Sequence, residues 1–230
     1  MVRLRHEAGS AIMTWSCGSP THVKGIDVSS AQGLYPCSLT WWRRLRHQYH
    51  IQFGIVKASE GISYVNPYLK SSWLACTAAN GTQHTGLYHF IDWQYSGTEQ
   101  AEHFWQTIKP LFNPISRLVD IMLVIDVEEP NGLSSTTKPS RTVLNDFVHS
   151  LSKDLDGNQS NLTIYTNYNT WAVLLDNPKD WSTLKLWVAA MNGESGCPPA
   201  EFGGWTNWSY MQYGLSELGG VYTDLDQLRI

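Results

Sequence analysis

The 230-residue chain has little charge, no closely spaced cysteines and no long apolar run. Charged residues make up 16% of it, against about 25% in an average protein, whereas apolar residues make up 42%. The chain can therefore build a core and is not of the disordered class. No stretch approaches the ~18 apolar residues of a transmembrane helix, so we expect no membrane span. The net charge of −4 shows no excess of basic residues of the kind that binds nucleic acid, so we expect no nucleic-acid partner.

Cysteine is also scarce. The four cysteines are widely spaced, at Cys17, Cys37, Cys76 and Cys197. None of them forms a CxxC pair, so the pattern predicts no structural zinc site, and we expect no metal or cofactor. One or two disulfides and buried free thiols are equally compatible with these spacings.

The first 24 residues show no periodicity, and we treat them as a leader of uncertain structure. Arg3 and Arg5 open this segment, but no apolar run of about 7–15 residues follows, so the pattern predicts no clear signal peptide. Residues 25–230 contain no linker rich in proline, glycine or serine and are expected to form one domain. We expect the protein to be a monomer.

Short apolar runs recur from Gly25 onwards, and most are followed by room for a helix. The predicted strands are 25–29, 53–59, 85–90, 121–127, 162–166, 184–190, 208–213 and 220–225. The predicted helices are 40–50, 67–80, 98–112, 138–155 and a shorter one at 168–175. This alternation indicates parallel βαβ units. The last two strands are joined by 214–219, which is too short for a parallel crossover, so they form a hairpin. The pattern predicts an α/β, TIM-like barrel whose final third has lost its helices.

Acidic residues follow several of these apolar runs. Asp27 lies in the first predicted strand, and Asp224 and Asp226 lie at the end of the last one. In the segment LVIDVEEP, Asp126 and Glu128 are two residues apart, so their side chains leave the strand on the same face. In TIM-like barrels the carboxyl ends of the strands carry the active site. Two neighbouring carboxyls split their pKa values, and a protonated acid beside an ionised one is suited to glycosidic bond cleavage.

Aromatic residues are abundant, with 11 Trp and 11 Tyr, and their number predicts stacking surfaces in addition to a core. Tyr88 and Tyr165 lie in strands at a height where a phenol could contact a substrate, whereas His89 is predicted to face the helices. The late strands carry a cluster of rings, of which about half are expected to line a groove: Trp187, Trp205, Trp208 and Tyr213.

Eight segments occur together in an order that matches a known family. They are GIDVSSAQG (25–33), FGIVKASEG (53–61), GLYHF (86–90), DVE (126–128), IYTN (164–167), LWVAAMN (186–192), MQYG (211–214) and VYTDLDQ (221–227). With these motifs the chain resembles the glycoside hydrolase family 25 lysozymes, the Chalaropsis-type N-acetylmuramidases of phages and bacteria. The resemblance covers residues 25–230, nearly the whole chain.

The resemblance implies a (β/α)5β3 barrel that cleaves the β-1,4 bond between N-acetylmuramic acid and N-acetylglucosamine in peptidoglycan glycan strands. By position, Glu128 matches the general acid of the family and Asp126 its partner in the DxE motif. Asp27 matches the aspartate of the first strand, and Asp224 that of the last strand. No metal or organic cofactor is implied. The expected place of action is the bacterial cell wall, reached from outside or by release from the host cytoplasm.

The resemblance also assigns substrate contacts. Tyr88 and Tyr165 match active-site tyrosines, and Trp187 and Tyr213 are expected to contact the sugar. The family often has WQY where this chain has Met211 in place of the tryptophan, which leaves substrate affinity open.

Several alternatives stay open at the level of sequence. After Glu128 protonates the leaving oxygen, either Asp27 or Asp224 positions a water for inversion, or the N-acetyl group of the substrate attacks while Asp126 orients it. Instead of an enzyme, the chain could be a non-catalytic barrel that binds peptidoglycan, or a virion-associated structural lysin. A cysteine amidase or peptidase is a further alternative, although no cysteine has an arguable histidine partner on a strand.

Overall fold

The alternating strands and helices close into a barrel. The structure is a computed structural model and describes residues 22–81, 84–112, 121–129, 137–193, 198 and 202–229. Within these residues one sheet has nine strands: β1 (His22–Val28), β2 (Ile51–Glu60), β3 (Tyr64–Val65), β4 (Thr85–Phe90), β5 (Met122–Val127), β6 (Leu162–Asn167), β7 (Lys185–Ala189), β8 (Tyr210–Leu218) and β9 (Val221–Arg229).

Eight of these strands form the barrel, which closes because β1 pairs with both β2 and β9. Neighbouring strands are parallel from β1 through β2, β4, β5, β6 and β7 to β8. Strand β9 is antiparallel to both of its neighbours, and β3 pairs only with β2. The predicted TIM-like barrel is confirmed.

Four α-helices lie close to their predicted positions: α1 (Leu39–Tyr49), α2 (Leu69–Asn80), α3 (Gly97–Ile108) and α4 (Arg141–Asp154). Ser38, Ser96 and Ser140 cap α1, α3 and α4, because each side chain accepts a hydrogen bond from a backbone N–H of the first turn. The fifth predicted helix is a π-helical turn over Asn169–Leu174. Helices accompany the first strands of the barrel and give way to the hairpin at its end.

The hairpin differs from its prediction in the place of its turn. Residues 214–219 were expected to form a loop, but β8 continues to Leu218 and only Gly219 and Gly220 form the turn. Their φ angles are 62° and 100°. A two-residue hairpin turn of this kind requires positive φ at both positions, which glycine adopts without strain.

The barrel also begins earlier than predicted. Strand β1 starts at His22, and its first residues pair with the end of β9, so they belong to the sheet and not to a leader. Cys17 and Cys197 lie outside the described residues. Of the other two cysteines, Cys37 is a half-buried free thiol, and burial raises the pKa of the free Cys76 thiol to about 12.

The core has two layers. The outer layer lies between the strands and the helices, and the inner layer fills the barrel with Phe53, Ile55, Tyr88, Met122, Val124, Tyr165 and Trp187. All ten tryptophans among the described residues are buried, so the expectation that tryptophan forms exposed stacking surfaces is wrong for them. Trp42, Trp171 and Trp205 donate their indole N–H groups to backbone carbonyls, whereas the buried N–H groups of Trp41 and Trp208 have no hydrogen-bond partner among the described residues. No helix in the described part of the chain is both long and apolar enough to cross a membrane.

Candidate active site

A cavity of about 330 Å³ opens at the carboxyl ends of the parallel strands. It is lined by Asp27, Lys57, Tyr88, Phe90, Asp126, Glu128, Tyr165, Trp187, Met191, Gln212 and Asp224. The site thus contains the four acids predicted from the sequence, and three of the four predicted aromatic residues. Strand alternation explains the two strands that contribute a pair, since Tyr88 and Phe90 of β4, and Asp126 and Glu128 at the end of β5, are two positions apart.

Strand β5 supplies the DxE pair on one wall. Asp126 is buried, with 7% of its surface exposed, and its Oδ1 atom has no hydrogen-bond partner among the described residues. Glu128 lies just beyond the strand end and is only partly buried. The Trp93 indole N–H donates to the backbone oxygen of Glu128 at 2.7 Å, and this hydrogen bond holds the backbone in place just beyond the end of β5.

Both carboxyls of this pair favour the protonated form. Burial raises the pKa of Asp126 well above its usual range, the charge of Glu128 raises it further, and the Lys57 ammonium opposes the rise. Burial also raises the pKa of Glu128. The nearby Tyr165 hydroxyl, acting as a donor toward the carboxylate, lowers the pKa of Glu128 and opposes this rise. The two acids lie close enough to titrate together, and burial favours the protonated form of each.

The opposite wall carries a second group of acids. Strand β9 lies four strands away from β5 around the barrel, and Asp224 is paired across the strands with Asp27 of β1. Asp224 is partly exposed, whereas Asp226 is fully buried. Burial raises the pKa values of all three aspartates, that of Asp27 to about 8. The cavity therefore lies between two sets of carboxyls.

Asp226 and Gln212 connect this second wall to the barrel interior. The Gln212 amide donates to Asp27 Oδ2 at 2.8 Å, and the Trp187 indole N–H donates to Asp226 Oδ1 at 3.0 Å. The Oδ2 atom of Asp226 has no hydrogen-bond partner among the described residues, and the neighbouring charge of Asp27 raises the pKa of Asp226 further. Sequence reasoning did not include Asp226 or Gln212 in the site. The signal for Asp226 was present, since it is two residues from Asp224 and therefore faces the same side.

Tyr88 and Tyr165 both point into the barrel, as predicted. The Tyr165 hydroxyl donates to Gln212 Oε1 at 2.8 Å. The Lys57 ammonium lies 5.8 Å from the centre of the Tyr88 ring and 4.9 Å from that of Phe90. Sequence reasoning also missed Lys57, although a lysine at an inward position of an otherwise apolar strand is a signal.

Several predicted rings do not reach the cavity. Trp205, Trp208 and Tyr213 are buried in the outer layer of the core. The side chain of Gln212 faces the inside of the barrel. Tyr213 is the next residue along β8, so its side chain faces outward. The assignment of Tyr213 to the substrate is therefore corrected to a packing position. Met211 also lies in this outer layer, so the departure from WQY changes packing and leaves the cavity wall intact.

His89 faces the helices, as predicted. It is fully buried, lies 2.9 Å from Ser59 Oγ, and packs against the rings of Phe104 and Phe147. Burial lowers its pKa to about 3, so the imidazole is neutral. Its role is structural.

A second cavity of about 230 Å³ lies at the other end of the barrel. Its walls include Phe53, Met122 and Tyr210, and none of its lining residues is a carboxylic acid. Among the residues that the structure describes, no three His, Cys, Asp or Glu side chains are grouped so that they could hold a metal ion. The acid-lined cavity is therefore the candidate active site.

Comparison with known proteins finds a family model and solved structures that match most of the chain. The model of the family described as glycosyl hydrolases family 25 matches residues 26–218. The crystal structure of a bacterial lysozyme from Streptomyces coelicolor is similar, with 25% identity, a TM-score of 0.72, and coverage of 90% of this chain and 91% of that chain. A family GH25 lysozyme from Aspergillus fumigatus has the same fold, with 24% identity, a TM-score of 0.73, and coverage of 91% and 95%.

A curated relative matches over part of the chain. The uncharacterized protein YegX from Escherichia coli K12 is 34% identical over 116 residues, which are 49% of this chain and 38% of that protein. The match thus spans less than half the length of this curated relative.

Proposed function

Because the chain belongs to glycosyl hydrolases family 25, we propose that it is a lysozyme that hydrolyses the β-1,4 bond between N-acetylmuramic acid and N-acetylglucosamine in bacterial peptidoglycan. Its place of action is the cell wall, as a lysin of phage or bacterial origin. The observation that carries the proposal is the Asp126–Glu128 pair, in which burial favours the protonated form of each acid, in a cavity at the carboxyl ends of the barrel strands.

Glu128 is the general acid. It lies at the cavity wall beyond the end of β5 and is partly exposed, so a bound sugar can reach its carboxyl. Asp126 lies two residues earlier on the same face of β5 and is buried. Glu128 donates its proton to the glycosidic oxygen as the bond from the anomeric carbon to that oxygen breaks. Asp126 stabilises the positive charge that develops on the sugar ring.

Water completes the reaction from the other side. Asp27 is engaged by Gln212, whereas Asp224 is partly exposed and faces the cavity from the wall opposite β5. Asp224 is therefore better placed than Asp27 to position a water for attack on the anomeric carbon, and in its ionised form it accepts the proton that this water loses. The anomer of the fresh product, observed by NMR, tests this step. Inversion supports a water held by Asp224, and retention indicates attack by the N-acetyl group of the substrate.

The first test of the proposed function is Glu128→Gln, which keeps the shape of the side chain and removes the acidic proton. We expect at least a ~100-fold loss in the rate of lysis of purified cell walls, because a general acid contributes about that much or more. The matched control is Glu129→Gln, since Glu129 is adjacent, exposed and bonded to Asn169 outside the cavity.

The products distinguish this function from the alternatives. Mass spectrometry of digested peptidoglycan should find muramic acid at the new reducing ends. Reducing-end glucosamine, released peptides, or near-full activity of Glu128→Gln would contradict the proposal. Wall binding without any cleavage would instead identify a non-catalytic barrel.

A further inference from the structure

The side chain of Trp93 continues the hydrogen-bond ladder between β4 and β5 beyond the end of β4. The pairing of these strands ends at Phe90 and Asp126, where the backbone N–H of Ile91 donates to the Asp126 oxygen at 3.0 Å. In a regular parallel ladder the next bond lies two residues further along both strands, between residue 93 and Glu128. Here the indole N–H of Trp93 donates to the Glu128 oxygen at 2.7 Å. The indole therefore takes the place of a backbone donor.

The segment that carries Trp93 is itself held by α3. The backbone N–H of Asp92 donates to Gln100 Oε1 at 2.8 Å, and the Asp92 oxygen accepts a bond from the Gln100 amide at 2.9 Å. Gln100 is fully buried, and Trp93 is 4% exposed. The indole N–H thus meets the Glu128 carbonyl from a fixed position.

On the other side of β5, the neighbouring strand β6 holds the residue between the two acids. The buried Thr166 hydroxyl donates to the Val127 oxygen at 2.8 Å. The pairing of β5 with β6 ends at Val127, so Glu128 lies beyond the ladders on both sides of the strand. Within the described part of the chain, the Trp93 indole is the donor that reaches the Glu128 carbonyl.

The position of this carbonyl matters for proton transfer. The Glu128 side chain leaves the backbone at the Cα atom next to the carbonyl, so a shift of one moves the other. A displacement of about 1 Å between reacting groups can lower a rate about 100-fold. Trp93 is not one of the residues that line the acid-lined cavity, so its effect on a bound sugar passes through Glu128.

We propose that Trp93 is a positioning residue, which holds the backbone of Glu128 so that the carboxyl of the general acid is directed at the glycosidic oxygen. The inference rests on the proposed function of Glu128 as general acid. Trp93 acts on the step in which the bond breaks and leaves the binding of the sugar unchanged.

The test is Trp93→Phe, which keeps an aromatic ring and removes the N–H donor. We expect kcat on soluble peptidoglycan fragments to fall about 10-fold while KM stays the same, because the proton is misdirected and the cavity wall is intact. The matched control is Trp205→Phe. Trp205 is equally buried and donates its indole N–H to the Leu184 backbone oxygen at 2.8 Å, in the outer layer of the core. This control should lose stability and keep its kcat.

A second replacement separates the hydrogen bond from the packing of the ring. Benzothienylalanine in place of Trp93 has the shape of tryptophan with a sulfur atom instead of the N–H group, so it preserves the fold even where Trp93→Phe does not. It should show the same fall in kcat, whereas 5-fluorotryptophan, which keeps the N–H group, should retain the native kcat. Native kcat with benzothienylalanine, a changed KM at native kcat, or an equal fall in Trp205→Phe would overturn the proposal.

The failure of this inference can be distinguished from failure of the proposed function. If Glu128→Gln stays active, the acid is misassigned, and the proposed function and the inference fail together. If Glu128→Gln is inactive while the benzothienylalanine variant keeps the native kcat, Glu128 is the acid and Trp93 serves only in packing. That second result overturns the inference alone.

Discussion

Lys57 places an ammonium group in a cavity otherwise surrounded by carboxyls. It lies at an inward position of β2, where its ammonium is 2.6 Å from Glu60 Oε2 and close to the rings of Phe90 and Tyr88. Its positive charge lowers the pKa of Asp126 and of Glu128, against the larger effect of burial. Lys57 therefore helps the pair to hold one negative charge, which the proposed mechanism requires on Asp126.

Replacing Lys57 by methionine should move the acidic limb of the activity profile to higher pH. The physical reason is that Asp126 then ionises with less support, so a smaller fraction of the protein carries the required charge at low pH. The measurement is kcat/KM against pH. Lys185→Met is the matched control, because Lys185 is a lysine at the start of β7 that lines the cavity at the other end of the barrel, away from the acids.

An unchanged acidic limb in Lys57→Met would contradict this role. It would mean that the negative charge of Glu60, which forms an ion pair with Lys57, cancels the effect of the lysine charge on the pKa values of Asp126 and Glu128.

At the scale of elements, the close approach of α3 and α4 depends on Gly97 in the first turn of α3. A Cβ atom added there would lie 1.9 Å from the backbone oxygen of Val143 and 2.6 Å from the backbone nitrogen of Phe147. Both atoms belong to the backbone of α4, so they cannot move aside as a flexible side chain would. These helices cover His89 and the strands on which the DxE pair is built.

We expect Gly97→Ala to lower the free energy of unfolding by about 1–3 kcal/mol, the usual cost of overpacking a core. Chemical denaturation measures this loss. Gly214→Ala is the matched control, because nothing lies within 4 Å of a Cβ added at Gly214. Equal stability of the two variants would show that α3 can shift away from α4 at little cost.

At the scale of the whole molecule, the buried titratable groups make stability depend on pH in two directions. Burial raises the pKa of Asp27 from 3.8 to about 8, so the folded state binds more protons and stability falls as pH rises through this range. Burial lowers the pKa of His89 from 6.5 to about 3, so the unfolded state binds more protons and stability falls as pH drops through that range.

The melting temperature should therefore be highest in mildly acidic solution and decrease toward alkaline pH. Calorimetry across this range measures the effect. Asp27→Asn should flatten the alkaline decrease, because a neutral amide has no proton to lose. A melting temperature that rises from mildly acidic to alkaline pH would contradict the assignment of buried, protonated acids to the folded state.

Local patterns in the sequence were enough to predict the barrel and the four acids that line its cavity. Alternating apolar runs and capped helices predicted the βαβ units, because each element is encoded by local periodicity. The i, i+2 rule predicted that Asp126 and Glu128 share one face, and Asp27 and Asp224 followed from their positions in predicted strands. The sequence analysis also named Asp226 at the end of the last predicted strand but did not assign it to the site.

Tertiary structure decided which of the remaining polar and aromatic residues meet. Gln212 and Tyr213 are neighbours in sequence, and only the pairing of β8 shows that the glutamine faces the acids and the tyrosine faces the core. The tryptophans are equally ambiguous, because a large ring with one N–H group suits either a groove or a core until its hydrogen-bond partner is known. The hydrogen bond between Asp27 and Gln212 joins residues 185 positions apart, and such contacts exist only once the barrel closes.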